Sequence, residues 1–352
     1  MRQGIAGGVG LAVASAITFG VTTPLVARAG AGVGAFMTAG LLYLGALGFS
    51  LIARPLTRAT GASLTRAQLP RLAWVALFGA ALAPSFFAWG IQRTDRLAAS
   101  LMLNFEAVVS VLLARVFFKE ALGRRVILAI GVMLGGGALM ALESPPGGTL
   151  HLFGILAVAA ATVFWAMDNT LTRPLSDFEV TEVVAATAGL GAAATLGLSF
   201  VQGDDLPPPS QVAALLALGA MGFGLSLRFY LLAQRHMGAA RTASVFATGP
   251  FIGAALSWAL GARDGTVLTV LGALAFAVGV VLHATERHGH HHQHPAEEHE
   301  HAHRHDDGHH AHQHEPPVAG QHSHRHAHEA QVHEHEHAPD LHHGHSHDGQ
   351  GS

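Results

Sequence analysis

One carboxylic acid stands alone in a long apolar stretch of the chain. Glu106 lies in LMLNFEAVVSVLLARVFFKE (101–120). About nine helical residues, at about 1.5 Å each, would place its carboxyl roughly 13 Å deep in a bilayer. An ionisable group there costs about 2.5–3.5 kcal/mol to insert, so it usually faces a partner or a water-filled cavity. Glu106 is therefore predicted to couple protons or bind cations; the alternative is a protonated acid that only ties two helices together.

Three other residues of apolar stretches could contribute to the same pathway. Asn104 lies two residues before Glu106. On a continuous helix it would point to a different face, which suits helix packing better than chemistry. Pro24 and Pro250 interrupt the hydrogen-bond ladder of two further stretches and free backbone carbonyls. Such interruptions can be ligand sites or hinges, although kinks that serve packing are the commoner use.

A second acidic position lies in WAMDNTLTR (165–173), about one turn from the end of its apolar stretch. Asp168 and Asn169 are the polar pair there. Asp168 could form an ion pair with Arg173 or Arg28, or it could line a cavity together with Asn169. Both alternatives are open at this point.

The end of the chain has a different composition from the rest. Twenty-four of the 27 histidines lie between His288 and His347, many of them in His-x-His pairs alternating with acids. In an extended chain, residues i and i+2 project to the same side, so each pair could hold one divalent ion. Neutral imidazole suits Zn²⁺, Ni²⁺ or Co²⁺. The candidate metal ligands are His299, His301, His303, His322, His324, His333, His335, His337, His345 and His347.

This tail, residues 286–352, has no apolar periodicity that could bury a core, so it is predicted to be disordered when free. A tail that binds or senses divalent metal is the favoured interpretation. A pH-responsive tail is an alternative, because the ordinary pKa of histidine is about 6.5. The other alternative is that the tail is an incidental low-complexity segment that only increases solubility.

Composition excludes several classes of protein. Hydrophobic residues make up 50% of the chain and charged residues only 12%, against about 25% charged in soluble domains. No cysteine is present, so disulfides and thiolate metal sites are excluded. No phosphate-binding loop, no paired nucleophile and base, and no cofactor motif occur. We therefore predict a protein that is not an enzyme, requires no cofactor and has no nucleic-acid partner.

The apolar stretches are long enough to cross a bilayer, which takes about 20 residues each. Their Gly, Ala, Ser and Thr content suits close helix packing in lipid. The fold class is therefore an all-α polytopic membrane protein with ten transmembrane helices. The predicted spans are 5–27, 33–53, 72–92, 97–118, 125–142, 152–172, 183–201, 212–234, 240–261 and 266–284.

Basic residues predict the orientation, because they are enriched on the cytoplasmic side of membranes. If Arg2 is cytoplasmic, twelve basic residues near the span ends are inside: Arg2, Arg54, Arg58, Arg66, Arg71, Lys119, Arg124, Arg125, Arg173, Arg235, Arg241 and Arg287. Four are outside: Arg28, Arg93, Arg96 and Arg263. This bias predicts cytoplasmic N- and C-termini.

The two halves of the membrane region resemble each other. Residues 19–28 match residues 164–173 at an offset of 145, and Ala99-Ser100 matches Ala243-Ser244 at 144. One repeat therefore contains five spans. Because five is odd, the second copy enters from the other side, which predicts an inverted repeat of the kind found in secondary transporters.

The order of these motifs resembles the EamA-type branch of the drug/metabolite transporter superfamily. LNFEAVVSVLLARVFFKE, WAMDNTLTR and ARTASVFATGPFIGAALSWAL (240–260) carry the resemblance, and the tail is similar to that of a bacterial subgroup with His/Glu-rich ends. The resemblance implies secondary transport of small solutes, often outward. It also implies a structural or gating role for Glu120, a role we extend to Asp264 at the matching position of the second repeat and to Arg173.

The sequence thus predicts three parts: a first repeat (1–143), a second repeat (144–285) and a cytoplasmic tail (286–352). The favoured function is secondary transport of a small organic metabolite or drug across a bacterial inner membrane, with a metal-responsive tail. One alternative is a transition-metal transporter whose tail collects the ion; another is a membrane-anchored metal sensor. The expected partners are the lipid bilayer, the solute and transition-metal ions, and a homodimer is compatible with the sequence.

Overall fold

A computed structural model describes residues 2–56, 62–118, 124–142, 149–175, 178–237, 239–262, 266–284, 289–294, 297–303, 322–328 and 331–336. The chain divides into two compact units. One contains the chain up to Glu286, and the other lies within Arg287–His337. Helices form the first unit, and short strands occur in the second.

The helices of the first half begin near the N-terminus and follow the predicted spans. They are α1 (Arg2–Ala29), α2 (Ala35–Ala53), α3 (Leu69–Val75), α4 (Ala83–Ile91), α5 (Arg96–Met102), α6 (Phe105–Phe118) and α7 (Arg124–Leu142). Short 3₁₀ turns at Arg54–Leu56 and Arg66–Gln68 flank the loop after α2. The π-helical segment Ala76–Leu82 joins α3 to α4, so that these three pieces form one continuous span.

The second half repeats this order. Its helices are α8 (Thr149–Thr172), α9 (Val180–Gln202), α10 (Pro209–Gly219), α11 (Ser226–Met237), α12 (Ala239–Phe246), α13 (Gly249–Ala259) and α14 (Val267–Ala284). A 3₁₀ turn, Arg173–Leu175, follows α8. The π-helical segment Ala220–Leu225 joins α10 to α11.

The structure confirms an all-α polytopic membrane protein, with helix in each of the ten predicted spans. Six helical stretches of the described chain are long and apolar enough to cross a bilayer: Gly7–Ala29, Ala35–Ala53, Arg66–Ile91, Thr149–Thr172, Val180–Gln202 and Pro209–His236. A shorter apolar stretch is Val267–Leu282. The fourth and ninth spans are not single helices, because each is broken near its middle into α5 and α6, or into α12 and α13.

The irregular backbone occurs at matching places in the two halves. The fourth span breaks at Asn104 and the ninth at Thr248, which follow the 144-residue offset of the sequence repeat. The π-helical segments begin at Ala76 and Ala220, again at that offset. π-Helical turns inside α-helices are rare and are often found at functional sites.

Helix packing joins the two halves through matching contacts. Helix α2 packs on α9, and α7 packs on α14. The contact of α4 with α8 has its equivalent in the contact of α1 with α11. A two-fold relation between the halves requires such matching pairs of contacts. The predicted boundaries at 143/144 and 285/286 lie outside the described residues.

Short strands occur in the described parts of the tail. Strands β1 (Gly289–His294) and β4 (Gln331–Glu336) pair antiparallel, and so do β2 (Glu297–His303) and β3 (His322–His328). The predicted disorder of the free tail stays a prediction. Both pairs are two-stranded ladders, which are marginal in water without further support.

Glycines bring helices of the membrane unit into backbone contact. A Cβ at Gly45 in α2 would overlap the carbonyl of Leu216 in α10, and a Cβ at Gly219 would overlap the carbonyl of Leu42. Gly48 lies one turn from Gly45, yet nothing lies within 4 Å of a Cβ built there. Small residues permit this approach, and close packing is a main source of helix association in lipid.

Gly45→Ala should therefore destabilise the fold, since the added methyl forces α2 and α10 apart. We expect a loss of about 1–3 kcal/mol, visible as a lower thermal-unfolding midpoint of the purified protein in detergent. Gly48→Ala on the same helix is the matched control and should leave the midpoint unchanged or slightly higher. Equal midpoints for the two variants would contradict the helix contact described above.

Candidate functional site

The break in the fourth span exposes polar backbone and side-chain groups in the middle of the membrane unit. Leu103 and Asn104 form a turn between α5 and α6. The Asn104 side chain is 2% exposed, and its Nδ2 donates to the carbonyl of Leu101 at 3.1 Å. The amide of Glu106 donates to the carbonyl of Leu103 at 3.1 Å. Asn104 thus closes the end of α5 and directly precedes α6.

The oxygen of the Asn104 side-chain amide has no hydrogen-bond partner among the described residues. This Oδ1 atom is buried. Buried polar atoms are nearly always hydrogen-bonded, so an oxygen without a partner indicates a position where a ligand or a water molecule can bind. The prediction that Asn104 points away from Glu106 assumed a continuous helix. That assumption is wrong, because the chain turns between the two residues.

Glu106 lies in the first turn of α6 and bonds to the first helix of the second half. The Nδ2 of Asn169 in α8 donates to the Oε1 of Glu106 at 2.6 Å. Both side chains are only partly buried. The structure thereby brings together two of the residues that the sequence singled out separately.

Asp168 lies beside this pair on α8. Its Oδ1 accepts a hydrogen bond from Thr172 Oγ1 at 3.1 Å. Asp168 directly precedes Asn169, whose side chain bonds to Glu106. On its other side it presses against Gly79 of the π-helical segment, where a Cβ would overlap the carboxylate. Gly79 is therefore the residue that makes room for the acid.

A tyrosine connects the π-helical segment to the neighbouring helices. The hydroxyl of Tyr43 in α2 donates to the carbonyl of Gly79 at 2.5 Å. Tyr43, Gly79 and Asp168 thus form one connected group in the interior.

Aromatic rings fill the space next to the acids. Phe19 in α1 is at the centre, with ring centroids 6.0 Å from Trp165, 6.1 Å from Phe223 and 5.3 Å from Phe246. The ring of Phe246 lies 5.1 Å from Tyr230. We call these five residues, together with Tyr43, the aromatic cluster. Tyr43 joins it through Phe223, at 5.3 Å.

Neither acid forms an ion pair with a basic residue in the part of the chain that the structure describes. The ion pair found there is Arg54–Glu182, at 2.6 Å, between the end of α2 and the start of α9. The possible pairing of Asp168 with Arg28 is not found, and Arg28 Nη2 instead donates to the carbonyl of Leu260 at 3.3 Å.

The two prolines differ in their effect. Helix α1 continues through Pro24, so the proline interrupts the hydrogen-bond ladder there without breaking the helix. The carbonyl of Gly20, which lacks a donor at Pro24, faces Gly253 in α13. Pro250 lies in the first turn of α13, directly after the break at Thr248. There it begins a helix, since proline is well suited to the first turn.

Several predicted site residues cannot be assigned. Glu120 and Asp264 lie outside the described residues, as do His337, His345 and His347. The side chain of Arg173 lies outside the described part as well, although its backbone forms the 3₁₀ turn after α8. The remaining predicted metal ligands lie on the tail strands: His299, His301, His303, His322, His324, His333 and His335.

The sequence missed part of the site. Tyr43, Gly79 and the phenylalanines of the aromatic cluster carry no pattern that separates them from ordinary packing residues. The break at Asn104 did carry a signal, because asparagine followed by an acid two residues later is typical of a helix start. The same is true of Thr248 followed by Pro250.

The arrangement suits reversible binding of protons or cations. It contains two carboxylates, an amide that bonds to one of them and an orphan amide oxygen. No group of three or more metal-ligating side chains occurs among the described residues of the helices. The described helices therefore contain no ligand set typical of a transition-metal path.

Comparison with known proteins agrees with this architecture. A solved crystal structure matches with a TM-score of 0.60 and 17% identity, covering 79% of this chain and 96% of that one, which shows a shared fold. An uncharacterized transporter from Methanothermobacter thermautotrophicus is 24% identical over 213 residues, 59% of this chain; the match spans 62% of that relative's length. The EamA-like transporter family matches twice, at residues 6–142 and 152–285. The chain therefore belongs to the EamA-like transporter family.

Proposed function

We propose that this protein is a proton-coupled secondary transporter that exports a small organic solute. The observation that carries the proposal is the position of Glu106 at a helix break, bonded to Asn169 and beside Asp168. In transporters, ligand sites typically occur where broken helices of two inverted repeats meet. Glu106 belongs to the first repeat, and Asn169 and Asp168 belong to the second.

The hydrogen-bond partner of Glu106 favours a change of protonation. An arginine would hold a carboxylate in its ionised form, because the pair would have to be broken before a proton could bind. An amide has no charge, and it offers both a donor and an acceptor. Asn169 can thus bond to either protonation state of Glu106, which is what a coupling residue requires.

The distribution of basic residues indicates how the protein is oriented in its membrane. We propose a bacterial inner membrane, with both termini in the cytoplasm, because Arg and Lys are concentrated on one face. In that orientation the Arg54–Glu182 ion pair lies on the cytoplasmic side and joins the two repeats there. A homodimer stays a prediction.

The tail is proposed to bind Zn²⁺, Ni²⁺ or Co²⁺. Strand register supports this, because it places histidines opposite histidines: His299 opposite His326, His301 opposite His324 and His303 opposite His322. In the other ladder, His290 is opposite His335 and His292 is opposite His333. Directly opposite residues in antiparallel strands have Cβ atoms about 4.5–5.5 Å apart, so imidazoles of two strands can share one ion.

The two alternative functions rest on the tail alone. A transition-metal transporter would need ligands along the membrane path, and the described residues place no histidine beside Glu106 and Asp168. A membrane-anchored sensor would need neither an inverted repeat nor paired helix breaks. Transport of an organic solute, with metal bound by the tail, accounts for both units.

Glu106→Gln should abolish proton-coupled flux. Glutamine keeps an oxygen that can accept the bond from Asn169, so the fold is retained, but it cannot take up a proton. The solute is first identified by growth of bacterial cells expressing the protein in the presence of amino acids, amines and toxic analogues. Proton movement is then measured in proteoliposomes with a pH-sensitive dye after solute addition, and it should fall to the level of empty liposomes.

Asp205→Asn is the matched control, because Asp205 is an exposed acid in the loop after α9. Its flux should equal that of the unmodified protein. Unchanged flux in Glu106→Gln, at equal amounts of folded protein, would rule out the coupling role.

Removal of residues 287–352 should separate metal binding from transport. The full chain is expected to bind several equivalents of Ni²⁺ or Zn²⁺ in a calorimetric titration, and the truncated chain should lose that binding. Solute flux in the truncated chain should persist. Loss of flux at low metal, with recovery at high metal, would instead support delivery of the ion by the tail.

A further inference from the structure

We infer that the solute is an aromatic or bulky apolar amine that carries its positive charge into the site between Glu106, Asp168 and the aromatic cluster. The inference rests on the proposed transport function and names the class of substrate. Three properties of the site lead to it: its charge, its unsatisfied hydrogen-bonding groups and its rings.

The ionisable groups of the site are acids. Glu106 and Asp168 contribute two carboxyls, and four arginines of neighbouring helices bond to other groups. Arg28 binds Leu260, and Arg54 binds Glu182. Arg228 donates to Thr181 Oγ1 at 3.4 Å, and Arg235 donates to the carbonyl of Phe178. A cation would therefore be attracted by either carboxyl in its ionised form, whereas an anion would be repelled.

The free hydrogen-bonding groups of the site are acceptors. Asn104 Oδ1 is buried without a donor, and the carboxyl oxygens of Glu106 and Asp168 accept the bonds described for them. The hydroxyl of Tyr43 already donates its hydrogen to the carbonyl of Gly79. A solute with N–H donors would satisfy these oxygens, since an ammonium group has donors and no acceptor. A carboxylate-bearing solute would find no free donor among them.

The aromatic cluster supplies the apolar side of the site. Trp165 lies one turn before Asp168 on α8, so its indole and the carboxyl lie on neighbouring parts of one helix face. Phe19, Phe223 and Phe246 extend the ring surface away from the acids. Ring faces attract cations, and they bury apolar groups equally well. The geometry therefore fits an amine joined to a ring or another apolar body.

Binding of such an amine would also explain the coupling. An ammonium group and a proton would compete for the same carboxyls, so occupancy by one favours release of the other. Neither process forms or breaks a covalent bond in the solute. The exchange requires the acids to be reachable, and both carboxyl-bearing side chains keep partial exposure.

The test compares amines with their neutral and anionic counterparts on the full-length purified protein. The probes are phenethylamine with phenethyl alcohol, and tryptamine with tryptophol and indole-3-propionate. Equilibrium binding is measured with radiolabelled tryptamine and by competition. Each amine should bind at least about ten-fold more tightly than its alcohol, and the carboxylate should not compete. Asp168→Asn should weaken tryptamine binding by about ten-fold or more, whereas Asp205→Asn should leave it unchanged.

Two results would overturn the inference. One is alcohols or the carboxylate binding as tightly as the amines; the other is no saturable binding of either amine by a protein that unfolds at the normal temperature. In both cases proton coupling would survive if Glu106→Gln still blocked flux of the solute found by growth. Conversely, selective amine binding together with unchanged Glu106→Gln flux would remove the proposed coupling and leave the substrate class standing.

Discussion

The bilayer imposes the constraint on which this structure depends: each backbone N–H and C=O in the hydrocarbon region must find a partner inside the protein. Continuous helices meet that requirement without help. Where the fourth span breaks, the Asn104 side chain binds the carbonyl of Leu101, and the chain turns into α6. Non-helical backbone at this depth is tolerated only where protein or a water-filled cavity surrounds it. The break therefore marks the position at which the bundle can hold a polar ligand.

Both halves contain a broken span, but the side chains that surround the irregular backbone differ between them. Each half has a broken span and a π-helical segment at equivalent positions. In the first half the π segment approaches α8 at Asp168, through Gly79. In the second half the equivalent segment approaches α1 at Thr22, through Gly222. The backbone is thus nearly two-fold, while Asp168 lies at only one of the two equivalent interfaces.

The spans and the repeat were predictable from the sequence because a helix that crosses lipid must be long and apolar. Such helices can be recognised from the composition of the sequence alone. The sequence also singled out Glu106 and Asp168 as candidates, because burying an acid in lipid costs free energy. Their proximity was not predictable, since it depends on how α6 and α8 pack. Tyr43 was missed for the same reason, as a tyrosine in an apolar helix has no distinguishing pattern. The register of the tail strands was not predictable either, because it depends on pairing between segments that are far apart in the sequence.

The neutrality of Asn169 is the final step in connecting the site to transport. A carboxyl that alternates between proton and solute must lose little stability in either state. A fixed cation beside Glu106 would favour the ionised state so strongly that neither a proton nor an amine could compete. An amide bonds to both states, and the neighbouring Asp168 supplies a second negative group that makes full ionisation of the empty site unfavourable. A site with two acids and no bound cation in its described surroundings is therefore unstable when empty and ionised. Uptake of either a proton or a cationic solute relieves that instability, so exchange between the two is the process for which the arrangement is best suited.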